Sequence, residues 1–140
     1  MIKIRKAKYS DCKFCYDLSK IKELITPSQD SLPLYYFKEF IKEKQIFFVA
    51  EEKRTILGYV MGERVTGNIA LLWMITVKRD LRGKSIGTIL LKNFEKECKK
   101  RKLKWIVLHA PNFNKKTLNF YKKHKYNTGL HLVEFNKEIK

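Results

Sequence analysis

The chain has 140 residues and a formal charge of +17, from 31 basic and 14 acidic side chains. That length predicts one domain, residues 1–140, able to bury about two-thirds of its unfolded surface, and the charge favours anionic partners. No apolar run reaches the roughly 20 residues that cross a bilayer, the start Met1-Ile2-Lys3-Ile4-Arg5 lacks a signal peptide's apolar stretch, and three cysteines form no framework, so a cytoplasmic setting without a membrane partner is expected.

Residues 2–8 read as a first strand, with Ile2, Ile4 and Ala7 apolar. Ser10-Asp11 can cap a helix over about 11–23, whose apolar positions are Cys12, Cys15, Leu18 and Ile21 or Ile25. Cys12 and Cys15 have no second cysteine pair to complete a four-ligand zinc site, so at i, i+3 on a helix face they read as core. Residues 26–33 are a loop by composition, and a second helix follows over about 33–44 with Tyr36, Phe37, Phe40 and Ile41 inward. Strands at 46–51, 56–62 and 69–77, separated by Lys53-Arg54-Thr55 and Thr66-Gly67-Asn68, form an antiparallel meander.

The stretch Val77 to Leu91 passes from strand through a basic, glycine-bearing loop into a helix over 85–101. Ile86, Leu90, Phe94 and Cys98 recur every four residues with lysines on the other face. A loop that opens a helix aims free N–H groups and the positive helix end at an anion, and a pyrophosphate suits several adjacent amides. Arg82 and Lys84 add cations, and Gly83 and Gly87 permit close backbone approach. Position 78 is Lys, so Gly83-Lys84-Ser85 is no Walker loop, and Gly83 to Gly87 is too widely spaced for a dinucleotide fingerprint. Residues 105–110 then read as a buried parallel strand, and His131–Phe135 as a last strand. The expected fold class is α/β (α+β): a mixed, mostly antiparallel sheet with one parallel strand–helix–strand unit.

Arg82-Gly83-Lys84-Ser85-Ile86-Gly87 after Val77 resembles the acyl-CoA loop of the GNAT superfamily of N-acyltransferases, usually Gln/Arg-x-x-Gly-x-Gly/Ala. The middle glycine is Ser85 here: a positive φ at that position would cost roughly a kcal/mol or more, a negative one would leave its hydroxyl for phosphate. Asn114, Phe120 and Tyr121 match a second family pattern, Asn-x-x-Ala-x-x-x-Tyr-x-x-x-Gly-Phe, with Thr117 for Ala and Lys125-Tyr126 for Gly-Phe. The resemblance implies helices on both faces of the sheet and acetyl-CoA as co-substrate on Arg82 to Thr88 (Arg82, Gly83, Lys84, Ser85, Ile86, Gly87, Thr88). It also implies Asn114 on the pantetheine arm and Tyr121 facing the sulfur, with no metal required. The first two helices and their loop would shape the acceptor pocket, with Asp30, Tyr35 and Trp73 as candidate substrate contacts. The family's last hairpin is cut short here, so either its final strand is vestigial or a second copy, a homodimer, completes the edge.

An amine attacking a thioester must lose a proton, the carbonyl oxygen needs donors, and the leaving thiolate needs a proton. Backbone amides of Ile75 and Val77, where sheet partners splay, are the candidate oxyanion donors. Tyr121 is the candidate acid. Strand 69–77 holds no carboxylate. Leu108-His109-Ala110 stands at the offset from Asn114 where protein N-terminal acetyltransferases of this superfamily often read Leu-Glu-Val or Leu-His-Val. His109 is therefore the candidate base, with Glu63 the alternative. The expected activity is acetyl transfer from acetyl-CoA to a primary amine, a protein or peptide α-amino group first and a polyamine or amino sugar second. The rival reading is a non-catalytic module of the same fold that docks on RNA or another anion. Nucleic-acid binding is expected to be weak and blind to sequence, because the lysines mark no single element.

Overall fold

The computed structural model describes residues 1–21 and 32–140. Its elements are β1 (Lys3–Lys6), α1 (Cys12–Ser19), α2 (Leu34–Lys42), β2 (Ile46–Glu52), β3 (Thr55–Val65), β4 (Ile69–Val77), α3 (Ile86–Lys100), β5 (Trp105–Val107) and α4 (Lys115–Lys123). The strands lie in the order β1-β2-β3-β4-β5. The first four pair antiparallel, and β4 pairs with β5 in parallel. This is the expected mixed sheet.

Strand alternation sends the two faces of the sheet into two separate cores. Ile46, Phe48 and Ala50 of β2 join Leu90, Leu91 and Phe94 of α3, while Phe47 and Val49 join Cys12 and Cys15 of α1 and Phe37 and Phe40 of α2. Both cysteines are fully buried, which fits their core reading. Gly62 is where α3 comes closest: a Cβ there would meet the Phe94 ring at 2.5 Å and the Leu71 carbonyl at 2.7 Å.

The alternation slips once in β4. Met61 pairs with Met74 but Gly62 pairs with Leu72, so Trp73 is an extra residue, a β-bulge. Before the bulge Ala70 and Leu72 face α3; after it Ile75 and Val77 do, while Trp73 and Met74 turn to the α1–α2 side.

Helix ends carry an uncommon residue choice. Lys102 sits at φ 60° after α3, with its N–H on the Lys99 carbonyl and the Leu103 N–H on the Cys98 carbonyl. This is a Schellman turn, where glycine is usual. Lys44 after α2 (φ 53°) and Lys125 after α4 (φ 70°) repeat it.

Two expectations need correction. The apolar run 105–110 joins the sheet only over Trp105–Val107. Residues 127–140 carry no strand and are exposed, because that short ladder offers His131–Phe135 little edge to pair with. Among the described residues no helix is long and apolar enough to cross a membrane.

Candidate functional site

The shortness of β5 creates the site. β4 and β5 pair only over Ile69–Leu71 and Trp105–Val107, then part. Residues 72–77 of β4 therefore have a partner strand, β3, on one edge only. The Lys78 N–H donates to the Leu57 carbonyl at 2.9 Å, towards β3. Strand alternation turns the backbone groups of Val77 and Ile75 the other way. The Val77 carbonyl accordingly accepts from Arg82 Nε at 3.3 Å on the open side. The Ile75 and Val77 N–H groups point into the same opening.

That opening is a groove of about 480 Å³. β4 from Leu72 to Val77 forms one wall and Leu108–Pro111 after β5 another; Asn114, Thr117, Phe120 and Tyr121 of the α4 segment close it, and the start of α3 lies along it.

The α3 start is built as an anion cradle. After a 3-10 turn at Arg79–Leu81, the Arg82 N–H bonds the Arg79 carbonyl at 3.3 Å. The next backbone donor to find an acceptor is Ile89, on the Ser85 carbonyl at 3.0 Å. The amides of residues 83–88 between them have no backbone acceptor among the described residues. Arg82's own amide, expected to join this row, is occupied. Gly83 at φ 79° and Ser85 at φ 66° are left-handed, a geometry that turns successive amides to one side. They sit at the positive end of a 15-residue helix, with Arg82, Lys116 and Lys123 lining the groove. A pyrophosphate fits this row: the donors are unspent, the lining cations have the right sign, and no carboxylate is among the described lining residues.

The positive φ settles what Ser85 does to the loop: it stores strain, and its hydroxyl makes no cap bond to α3. Left-handed backbone costs a non-glycine residue about 1–2 kcal/mol, partly offset by the entropy glycine loses on folding. Ser85→Gly should therefore stabilise the fold by about 0.5–1 kcal/mol, raising the melting temperature by roughly 2–4 °C, and Lys125→Gly should do the same. Calorimetric melting checks both.

The Tyr121 ring packs edge-on between Phe120 and Tyr126, with centroids at 5.1 and 5.4 Å. Burial pushes its phenol above the usual tyrosine range. Tyr126 Oη donates to Glu95 of α3 at 3.0 Å and pins the end of α4. Thr88 Oγ1 and His124 Nε2 lie 3.1 Å apart across the same joint. Asn114 is the cap of α4, its Oδ1 accepting from the Thr117 N–H at 3.2 Å.

Most residues expected at the site do line the groove: Ile75, Val77, Arg82, Gly83 and Ser85 to Thr88, and also Trp73, His109, Asn114 and Tyr121. His109 is exposed, two residues beyond the end of β5, and so is no core histidine. Trp73 Nε1 is buried and has no hydrogen-bond partner among the described residues. The Lys84 side chain lies off the groove, leaving its amide as its contribution. Glu63 is also outside, because it pairs with Leu71 from β3, which borders β4 on the edge away from the opening. Tyr35 is exposed, stacked on Tyr36 at 4.6 Å, and does not line the groove. Asp30 lies outside the described residues. Unforeseen lining residues include Lys116, Phe120 and Lys123, which the i, i+3/i+4 spacing of α4 places on one helical face beside Tyr121.

Comparison with known proteins accords with this geometry. The sequence model of the acetyltransferase (GNAT) family matches residues 12–126. An uncharacterized N-acetyltransferase, MJ1530, of Methanocaldococcus jannaschii is 33% identical over 84 residues, 56% of this chain and 51% of that protein. The match thus spans about half the length of that relative. The ribosomal-protein-S18-alanine N-acetyltransferase of Escherichia coli superposes with a TM-score of 0.77 at 18% identity, over 93% of this chain and 80% of its own. An aminoglycoside acetyltransferase from an uncultured soil metagenomic sample gives 0.78 at 16%, over 99% and 97%. At these identities the two superpositions establish the fold alone. The family match, covering both the amide row and α4, establishes the lineage: the chain belongs to the acetyltransferase (GNAT) family.

Proposed function

We propose that this protein transfers an acetyl group from acetyl-CoA to a primary amine, and that the amine is the α-amino group of a peptide or protein. The observation that carries the reading is the row of amides at residues 83–88 with no backbone acceptor among the described residues, opening into a groove whose far wall holds Tyr121. Acetyl-CoA supplies the thioester, and the chain's own groups do the rest. The 83–88 amides, with Arg82, hold the pyrophosphate. The Ile75 and Val77 N–H groups donate to the carbonyl oxygen as the amine nitrogen bonds to its carbon and negative charge builds there. His109, through a water, accepts the proton the attacking amine sheds. Tyr121 Oη donates to the sulfur as the carbon–sulfur bond breaks.

Electrostatics supports the choice of acceptor. Among the described residues the groove is lined by Arg82, Lys116 and Lys123 and by no carboxylate. A polyamine or aminoglycoside carries several positive charges and finds no carboxylate there to pair with, whereas a peptide presents one amine to deprotonate.

Thiol release with a panel of acceptors tests this. Peptides with a free N-terminus should turn over, and the same peptides blocked by prior N-acetylation should not. Turnover confined to spermidine or kanamycin would overturn the peptide assignment, and no turnover with any amine would favour a binding module.

A further inference from the structure

The basic residues look dispersed along the chain, but the fold gathers many of them at one pole. The turn after α2 (42–45), the β3–β4 hairpin (63–68) and the last turn of α3 with its exit (96–104) meet there. Arg101 Nη1 donates to the Lys44 carbonyl at 2.8 Å, the Arg64 amide donates to Gln45 Oε1 at 2.9 Å, and the Lys104 amide donates to the Asn68 carbonyl at 2.7 Å. These bonds make the three segments one surface. They contain nine basic residues and three acidic ones, so the surface is strongly positive. One of the acids, Glu97, is already paired with Arg101 at 3.1 Å.

Between the segments lies a concavity of about 610 Å³ lined by Arg64, Asn68, Lys99, Arg101, Lys102 and Lys104. It belongs to the C-terminal end of α3, and the amide row belongs to the N-terminal end. At 1.5 Å per residue the 15-residue helix separates the two by about 20 Å, so they are distinct sites. Next in the chain after Lys104 is Trp105, on the sheet's edge strand and 70% exposed. The indole lies on the face of β5 opposite Ile106, outside the lining of the hollow but one residue along the chain from it, and is an unused stacking surface at the sheet edge.

A single small anion would be held by two or three cations and would have no use for the indole. A chain of regularly spaced phosphates with unstacked bases uses both. We propose that this pole binds single-stranded nucleic acid without sequence preference. Lys99, Lys102, Lys104 and Arg64 take phosphates, and a base stacks on Trp105. Duplex fits less well, because its bases are already stacked and paired. The surface shares no lining residue with the groove, which stays open while nucleic acid is bound.

The test is fluorescence anisotropy of a labelled oligouridylate of about 16 nucleotides, titrated with the full chain at several salt concentrations. The triple variant Lys99→Gln, Lys102→Gly, Lys104→Gln should lose at least about 10-fold in affinity at roughly 0.1 M salt. Its log–log salt slope should become shallower by about 2, near 0.7 for each phosphate contact removed. The variant stays folded, since Lys102→Gly relieves a left-handed lysine, and a melting curve verifies this. Trp105→Ala should cost roughly 5-fold to 150-fold. A control that removes the same charge elsewhere, Lys3→Gln, Lys137→Gln, Lys140→Gln, should bind nearly as wild type. Saturating acetyl-CoA should not displace the oligonucleotide. Equal loss in the control, displacement by acetyl-CoA, or equally tight duplex binding with Trp105→Ala silent would each overturn the proposal. So would binding to phosphatidylserine vesicles with none to oligonucleotide.

Discussion

Tyr121→Phe is expected to lower kcat by roughly 10-fold to 1,000-fold while leaving acetyl-CoA affinity little changed, the range for loss of a positioned acid. The ring is held by Phe120 and Tyr126, and phenylalanine keeps those contacts, so neither α4 nor the groove wall should move. What disappears is one O–H. Burial raises the phenol, and the sign of that shift matters. The donor is the protonated form, which is lost only as pH rises through the folded-state value. Raising that value extends the donor's range, so wild-type kcat should show no basic limb from this group below pH of about 10. A thiol titrates near 8.5, below an ordinary phenol, so complete transfer from Tyr121 to the sulfur is uphill. The role proposed for the hydroxyl is therefore that of a hydrogen-bond donor whose proton moves late. Equal turnover in Tyr121→Phe would assign the residue to packing alone.

His109→Gln should lower kcat/KM by roughly 100-fold, near the lower end for a general base. Glutamine can hold the same water but cannot take its proton. His109 is exposed after β5, so the variant should melt with the wild type. A folded His109→Gln protein with the wild-type kcat/KM would transfer the role to solvent. Glu63, on the opposite edge of β4, is poorly placed to inherit it.

These residues were accessible from sequence to different degrees. The four-residue period from Ile86 to Cys98 places α3 within one residue of its observed start and end. The apolar run that follows the Thr66-Gly67-Asn68 turn gives β4 its observed bounds, and the glycine-bearing loop between β4 and α3 marks the amide row. The Trp73 bulge left no mark in the sequence, because Leu72, Trp73 and Met74 are apolar whichever face each takes. The splay of β5 was equally silent, since a continuous apolar run reads the same whether its later residues are paired or line a groove. Lys44, Lys102 and Lys125 occupy turns that glycine normally signals, so the helix ends lacked their usual punctuation. The basic pole was hidden because residues 44, 64 and 99–104 are far apart in sequence and adjacent only in the fold.

The proposed acetyl transfer depends on residues 83–88 seating the pyrophosphate. Its most direct test is a titration of isotopically labelled protein with acetyl-CoA, following each backbone amide by nuclear magnetic resonance. The amides of Gly83, Lys84, Ser85, Ile86, Gly87 and Thr88 should shift together and saturate with one ligand per chain. The apparent affinity should weaken as salt is raised, because charge-assisted hydrogen bonds are being screened. Saturable binding that leaves those six resonances in place, or no binding at millimolar acetyl-CoA, would contradict it.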